Sequence, residues 1–289
     1  MAPMLLEQTL NGLQLGVTLF LLASGLTLVL GIMRLVNLAH GSLYMIGAYI
    51  AFSLQSVFGS FSAGLVAAVV LTGALGVLLE RFLFEKLYER GFLEQVIVSF
   101  GAVMFFDELV RVVWGPLPIA APVPALFDMR LELVSGLMYP AYRLLVIAVG
   151  LLVSIGLYVL VTHTRLGMMV RAGASDRRMI GALGVNIRAL YTGVFAGGAG
   201  LAAVAGAMAG PIYSVQIGMG ESVLVQSLIA IVIGGIGSIR GAALAAVLVG
   251  LADTLGRIFL SPGISQIVIY VFMAAVLFWR PRGLFPAHG

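Results

Sequence analysis

The sequence predicts an all-α polytopic membrane protein with about eight to nine transmembrane helices, two of them short or interrupted. Hydrophobic residues make up 61% of the 289 positions and charged residues only 10%, against roughly 25% charged in soluble domains. Mean hydropathy is +1.13. Apolar runs recur along the whole chain at the length of about 20 residues that a span requires. No stretch is left for a soluble domain of useful size, so residues 1–289 read as a single transmembrane domain.

The first apolar run extends from Asn11 to Ile32 and follows a start, Met1 to Gln8, without Lys or Arg. A cleaved leader has a basic start and a shorter core, so this run is expected to be a retained span. Further spans are expected at 36–55, 60–80, 95–114, 143–162, 189–210, 222–238, 241–258 and 264–279. Segments rich in Lys and Arg resist translocation. The stretch 164–190 carries Arg165, Arg171, Arg177, Arg178 and Arg188 against one acid, Asp176, and is therefore assigned to the cytoplasm. Counting spans from there places all the basic residues inside except Arg111, Arg130, Arg143 and Arg257, with the N-terminus outside and the tail inside.

Asp107 and Asp253 each stand four residues before an arginine near the outer end of a span. That spacing predicts charge-neutralising pairs. The outer loop 115–142 holds Pro116, Pro118, Pro122, Pro124 and Pro140, which disfavour helix and suit an ordered cap.

Several chemistries are excluded. There is no cysteine, hence no disulfide or thiolate metal site. The only lysine, Lys86, follows Leu83-Phe84-Glu85 rather than a glycine cradle, so no P-loop is present. His40, His163 and His288 are far apart and never in H-E-x-x-H spacing, which argues against a metal site. Ser238 lacks a spaced base and an orienting acid for nucleophilic chemistry. The basic residues lie between apolar runs and form no nucleic-acid-binding domain. The surrounding partner is membrane lipid.

Two segments combine glycine with small polar groups inside apolar surroundings: Val36-Asn37-Leu38-Ala39-His40-Gly41-Ser42-Leu43-Tyr44-Met45-Ile46-Gly47-Ala48-Tyr49 and Ile233-Gly234-Gly235-Ile236-Gly237-Ser238-Ile239-Arg240-Gly241-Ala242. Interrupted helices in corresponding halves of a transporter point to a solute path, because irregular backbone at membrane depth is tolerated where it lines a cavity or is buried in protein. Asn37, His40, Gly41, Ser42, Tyr44, Gly234, Gly235, Gly237 and Ser238 are accordingly candidates for a translocation path. Tight helix packing through small residues is the competing explanation. The stretch 164–190 is too polar to span and is expected to form a short amphipathic helix, with Met179, Ile180 and Leu183 on an apolar stripe. Arg171, Ala172, Asp176, Arg177, Arg178, Met179, Ala182, Leu183 and Gly184 are its candidate docking residues.

Val36-Asn37-Leu38-Ala39-His40-Gly41, the Arg171 to Asn186 loop, Gly234-Gly235-Ile236-Gly237-Ser238 and the closing Arg280-Pro281-Arg282-Gly283-Leu284-Phe285 together resemble the LivH-type permeases of the branched-chain, or hydrophobic, amino acid branch of ABC importers. The resemblance covers nearly the whole chain. It implies an ABC importer permease fold in the bacterial or archaeal cytoplasmic (inner) membrane, no cofactor on this chain, and ATP with Mg on partner ATPases. The implied partners are a LivM-like second permease, two ATPases of the LivG and LivF kind, and a periplasmic or lipid-anchored solute-binding protein. The 164–190 loop matches the family's coupling segment in position, although Arg171-Ala172 stands where other importers have Glu-Ala.

A urea or short-chain amide permease would share these motifs. A self-sufficient secondary transporter or channel would carry coupling acids near the bilayer midplane, whereas Asp107, Glu108 and Asp253 lie toward outer ends beside arginines.

Overall fold

The computed structural model describes residues 2–134, 136–260 and 262–285; His288 lies outside them. The long helices are α1 (Ala2–Leu28), α2 (His40–Phe58), α3 (Phe61–Phe82), α4 (Phe92–Trp114), α5 (Ala141–His163), α8 (Ile187–Tyr213), α9 (Met219–Gly234), α10 (Ile239–Phe259) and α11 (Pro262–Trp279). Each coincides with one expected span. Six helical segments are long and apolar enough to cross a membrane by themselves among the described residues. α4 carries Glu94, Asp107, Glu108 and Arg111, and α9 has only 16 residues.

Two short helices, α6 (Arg165–Ser175) and α7 (Arg177–Ala182), occupy the arginine-rich stretch. Where one amphipathic helix was expected, Asp176 ends α6 and starts α7. Its Oδ1 accepts from the N–H groups of Arg178 and Met179 at 2.9 and 3.1 Å, an N-cap worth about 1 kcal/mol. The proline-rich loop also contains a two-stranded antiparallel hairpin, β1 (Arg130–Val134) and β2 (Leu137–Pro140).

The basic segments gather at one end of the bundle. Arg188 pairs with Glu85 at 3.1 Å, Arg34, Tyr88, Asp176 and Arg178 border one cleft, and Arg240 donates to the Tyr158 hydroxyl at 3.0 Å. At the opposite end the Trp114 indole donates to Ser53 at 2.7 Å. There Ile119 and Val215 exchange backbone bonds of 2.8 and 2.9 Å, and Tyr139 and Arg143 both donate to Asn11.

The core is formed by α1, α2 and α8. α2 is buried on every side from His40 to Tyr49. Lipid tails offer no hydrophobic drive for one helix to leave them for another, so association relies on close contact through small residues. α1 meets α10 in this way, Gly12 and Gly16 lying against the backbone of Gly250 and Val247. Of the two expected charge pairs, Asp253–Arg257 forms at 3.0 Å. The other is corrected: Arg111 takes Glu108 at 2.6 Å, the i,i+3 neighbour, and Asp107 is left without an ion pair among the described residues.

Candidate functional site: a helix break, a glycine turn and an acidic groove

α1 does not end cleanly. Its last turn widens into a π-helical segment, Val29–Met33, and Arg34 follows in the left-handed region at φ 52. A wider turn leaves backbone groups unmatched at a helix end. Gln95 of α4 supplies part of the match: its Oε1 accepts from the Val36 N–H at 3.0 Å, and its Nε2 donates to the Leu87 carbonyl at 3.2 Å. Nothing in the local pattern of residues 30–40 points to Gln95, since the contact spans 59 positions.

Asn37 lies in the break and is 2% exposed, with neither amide atom hydrogen-bonded among the described residues. His40 opens α2 and is fully enclosed. Its ring fills a notch at Gly25, where a Cβ would come within 2.9 Å of Nε2. Tyr44 is buried inside α2, against α8. Gly41 and Ser42 face a different way: they line a cavity of about 220 Å³ between α2, α4 and the start of α9.

That cavity has an apolar wall including Leu38, Met45, Phe100 and Val103, and two carboxylates, Asp107 and Glu221. Gly218 ends the preceding loop at φ 76, so α9 starts abruptly beside the groove. The contact that sets its width is backbone on backbone: a Cβ on Gly41 would lie 2.7 Å from the Gly220 carbonyl oxygen. Glu221 did not figure in the sequence reading. The available signal was a lone carboxylate at the entry to the apolar run 222–238, and ionisable residues at membrane segments mark function by default.

The second candidate segment is a tight reversal between α9 and α10. Gly235 and Gly237 adopt φ 102 and 84, and the Ser238 hydroxyl caps α10 by accepting from the Gly241 N–H at 3.1 Å. Gly234 lies against the Gly241 backbone. The closing motif folds back over this turn: Leu284 and Phe285 donate to the carbonyls of Ile233 and Gly234 at 2.8 and 3.0 Å. Two motifs separated in sequence thus form one unit. Gly41 to Tyr44 and Gly234 to Ser238 stand apart, because Gly41 meets Gly220 at the start of α9 whereas Gly234 ends it, about 21 Å away along that helix, but Gly237 packs against Gly31 in the π-helical segment just ahead of Asn37.

In the arginine-rich stretch, the Arg171 guanidinium donates to the Val161 carbonyl, tying α6 under the end of α5. α7 ends in a Schellman turn: Val185 donates to Ile180 at 3.3 Å and Gly184, at φ 87, to Gly181 at 3.0 Å. Ile180 is buried, while Met179 and Leu183 are 64% and 77% exposed. Ala172, Arg178 and Ala182 are also exposed, and the Arg177 side chain lies outside the described residues. Tyr88 and Thr192 both donate to Glu80 beneath this region.

Residues 8–277 match the family described as branched-chain amino acid transport system / permease component. BraD, a high-affinity branched-chain amino acid transport system permease protein of Pseudomonas aeruginosa, is 34% identical, with 96% of this chain and 95% of that one covered. LivH of Escherichia coli, a permease protein of a system with the same description, is 30% identical over 96% of this chain and 94% of its own. LivM of the same organism, likewise a permease protein, is 30% identical over 92% of this chain and 67% of its own.

Proposed function

The chain belongs to the family of branched-chain amino acid transport permease components, and from that premise we propose that it forms one half of the membrane passage of an ABC importer for branched-chain or other hydrophobic amino acids. It is a multi-pass membrane permease subunit and not itself the catalyst of ATP hydrolysis. In this reading it resides in the cytoplasmic membrane and pairs with a LivM-like permease. A solute-binding protein delivers amino acid from outside, and two LivG- and LivF-like ATPases bind ATP and Mg at the arginine-rich end.

The observation that carries the reading is α7. Both of its ends are satisfied from within the chain, by Asp176 and by the Schellman turn, yet it exposes Met179 and Leu183 beside arginines. A preformed short helix offering bare apolar side chains suits insertion into a groove on a partner, as a coupling element must. Closure of an ATPase dimer would move α7 and, through the tie from Arg171 to the end of α5, the bundle. Asn37, His40 and Tyr44 would then act as core packing at the moving break, and Gly41 and Ser42 as the part of their segment that faces the passage.

The test is reconstitution. The purified chain alone should hydrolyse no ATP, and leucine uptake into proteoliposomes should require the second permease, both ATPases and the binding protein. ATP hydrolysis by this chain alone, or uptake without the ATPases, overturns the reading.

A further inference from the structure

Asp107 and Glu221 come from helices far apart in sequence, and they border the same cavity. Neither forms an ion pair among the described residues. Arg111, one turn from Asp107, is held by Glu108. Arg111 still acts on Asp107 from one turn away, but the charged residue that α9 brings to the same cavity is another carboxylate, Glu221. Asp107 stands seven residues before Trp114, about 10 Å inside the end of α4, and Glu221 is exposed in the first turn of α9. Carboxylates facing lipid would be costly, so such residues in a membrane face a polar passage and take a cation.

A second observation points to a ligand. Ser42 is 4% exposed and lines the cavity, and its hydroxyl forms no hydrogen bond among the described residues. Serines inside helices ordinarily return their hydroxyl to the preceding turn, as Ser24 does to Leu21 at 2.9 Å. Ser42 leaves a free donor and acceptor at the mouth of an anionic site. On α4 the lining is apolar at Phe100 and Val103, two turns and one turn before Asp107. At about 220 Å³ the cavity is smaller than the roughly 300–1,000 Å³ of drug-sized sites.

We propose that the groove bounded by Ser42, Asp107 and Glu221 is a transit subsite for the α-ammonium group of an apolar amino acid, whose side chain lies against Phe100 and Val103. The proposal rests on the permease reading above and adds to it a recognition site on the membrane subunit. Charge selects for the ammonium, the serine hydroxyl orients it, and the apolar wall excludes strongly hydrated solutes.

The chain has no native cysteine, so Val225→Cys, on the rim of the groove, gives a single reporter. In the full importer reconstituted in proteoliposomes, the rate of maleimide labelling at this cysteine is measured with leucine, with isobutylamine and with 4-methylpentanoate, the analogue lacking the amine. Leucine and the amine should slow labelling, and the amine-free acid should not. Leucine uptake by Asp107→Asn/Glu221→Gln should fall about tenfold, the order of a lost charge-assisted contact, with ATP hydrolysis by the assembled complex retained. Equal protection by the amine-free acid, or no protection by any of the three, overturns the subsite even if the double variant does not assemble. The second pattern is the one expected if a basic side chain of the partner permease fills the groove. Uptake by the double variant at the wild-type rate overturns it as well. Absence of leucine uptake by the unmodified importer overturns the permease reading itself, which separates the two failures.

Discussion

Gly235 and Phe285 meet backbone to backbone: a Cβ placed on Gly235 would lie 2.7 Å from the Phe285 carbonyl oxygen. Gly235 also sits at φ 102, which side chains other than glycine's adopt at a cost of about 1–3 kcal/mol. Gly235→Leu should therefore release the tail from the α9–α10 turn and lower thermal stability of the detergent-solubilised protein by on the order of 2 kcal/mol. Faster tryptic cleavage after Arg282 would report the released tail. An unchanged melting profile and cleavage rate would show that the turn stands without it.

Gly41 and Gly220 form the second contact of this kind, and a Cβ on Gly220 would overlap the Gly41 carbonyl oxygen. Gly220→Val should wedge α2 from α9 and destabilise the fold by about 1–3 kcal/mol or more. Gly101→Ala, on an open face of α4 with nothing near its Cβ, should be neutral or slightly stabilising. The two melting temperatures, measured side by side, should diverge. Coincidence would count against close packing at the mouth of the groove.

Topology is checked by single cysteines in a chain that has none. Asp128 and Ser175 are both exposed, at opposite ends of the bundle. A membrane-impermeant thiol reagent applied to intact cells should label Asp128→Cys and spare Ser175→Cys until the cells are opened. The reverse pattern would invert the assigned orientation.

Coupling is tested at Met179 and Leu183, which are exposed and so can be changed without opening the core. Met179→Asp/Leu183→Asp should leave expression, orientation and pairing with the second permease intact. Removing two apolar anchors from an interface should lower ATPase recovery in pull-downs by about tenfold or more. Equal recovery would mean that the arginine-rich stretch serves as a topological anchor only.

Tyr88 lies in the connection between α3 and α4, where burial and then its hydrogen bond to Glu80 push the phenol above its ordinary value. The folded chain therefore holds this proton more tightly than the unfolded chain does. The resulting stabilisation is complete below the unfolded value of about 10 and declines as pH rises above it. Tyr88→Phe should lose less stability than wild type between about pH 9 and about pH 11, which melting curves at both pH values would show.

The helices themselves were legible from local pattern. All nine expected runs carry helix, since a span is specified by some 20 consecutive apolar residues and needs no distant partner. Motifs such as Gly234 to Ser238 and Arg280 to Phe285 were visible separately, but their pairing was not, because the bonds from Leu284 to Ile233 and from Phe285 to Gly234 join positions about fifty residues apart. The expected Asp107–Arg111 pair failed for a local reason: Glu108 reaches the same guanidinium from the adjacent position, and i,i+3 and i,i+4 partners compete on comparable terms.

By itself the sequence determined the class of protein, the order of its long apolar helices and its family motifs. Hydrophobic length and the absence of a P-loop or a cysteine are properties of the chain before it folds. Only the tertiary structure decided which candidate residues share a site. It enclosed Asn37, His40 and Tyr44 in the core, set Gly234 to Ser238 under the tail, and joined Ser42 to Asp107 and Glu221 across one groove. The physical reason is that backbone-on-backbone contacts such as Gly41 on Gly220 depend on two helices arriving at the same place, and nothing in either helix's own sequence says which partner it will meet.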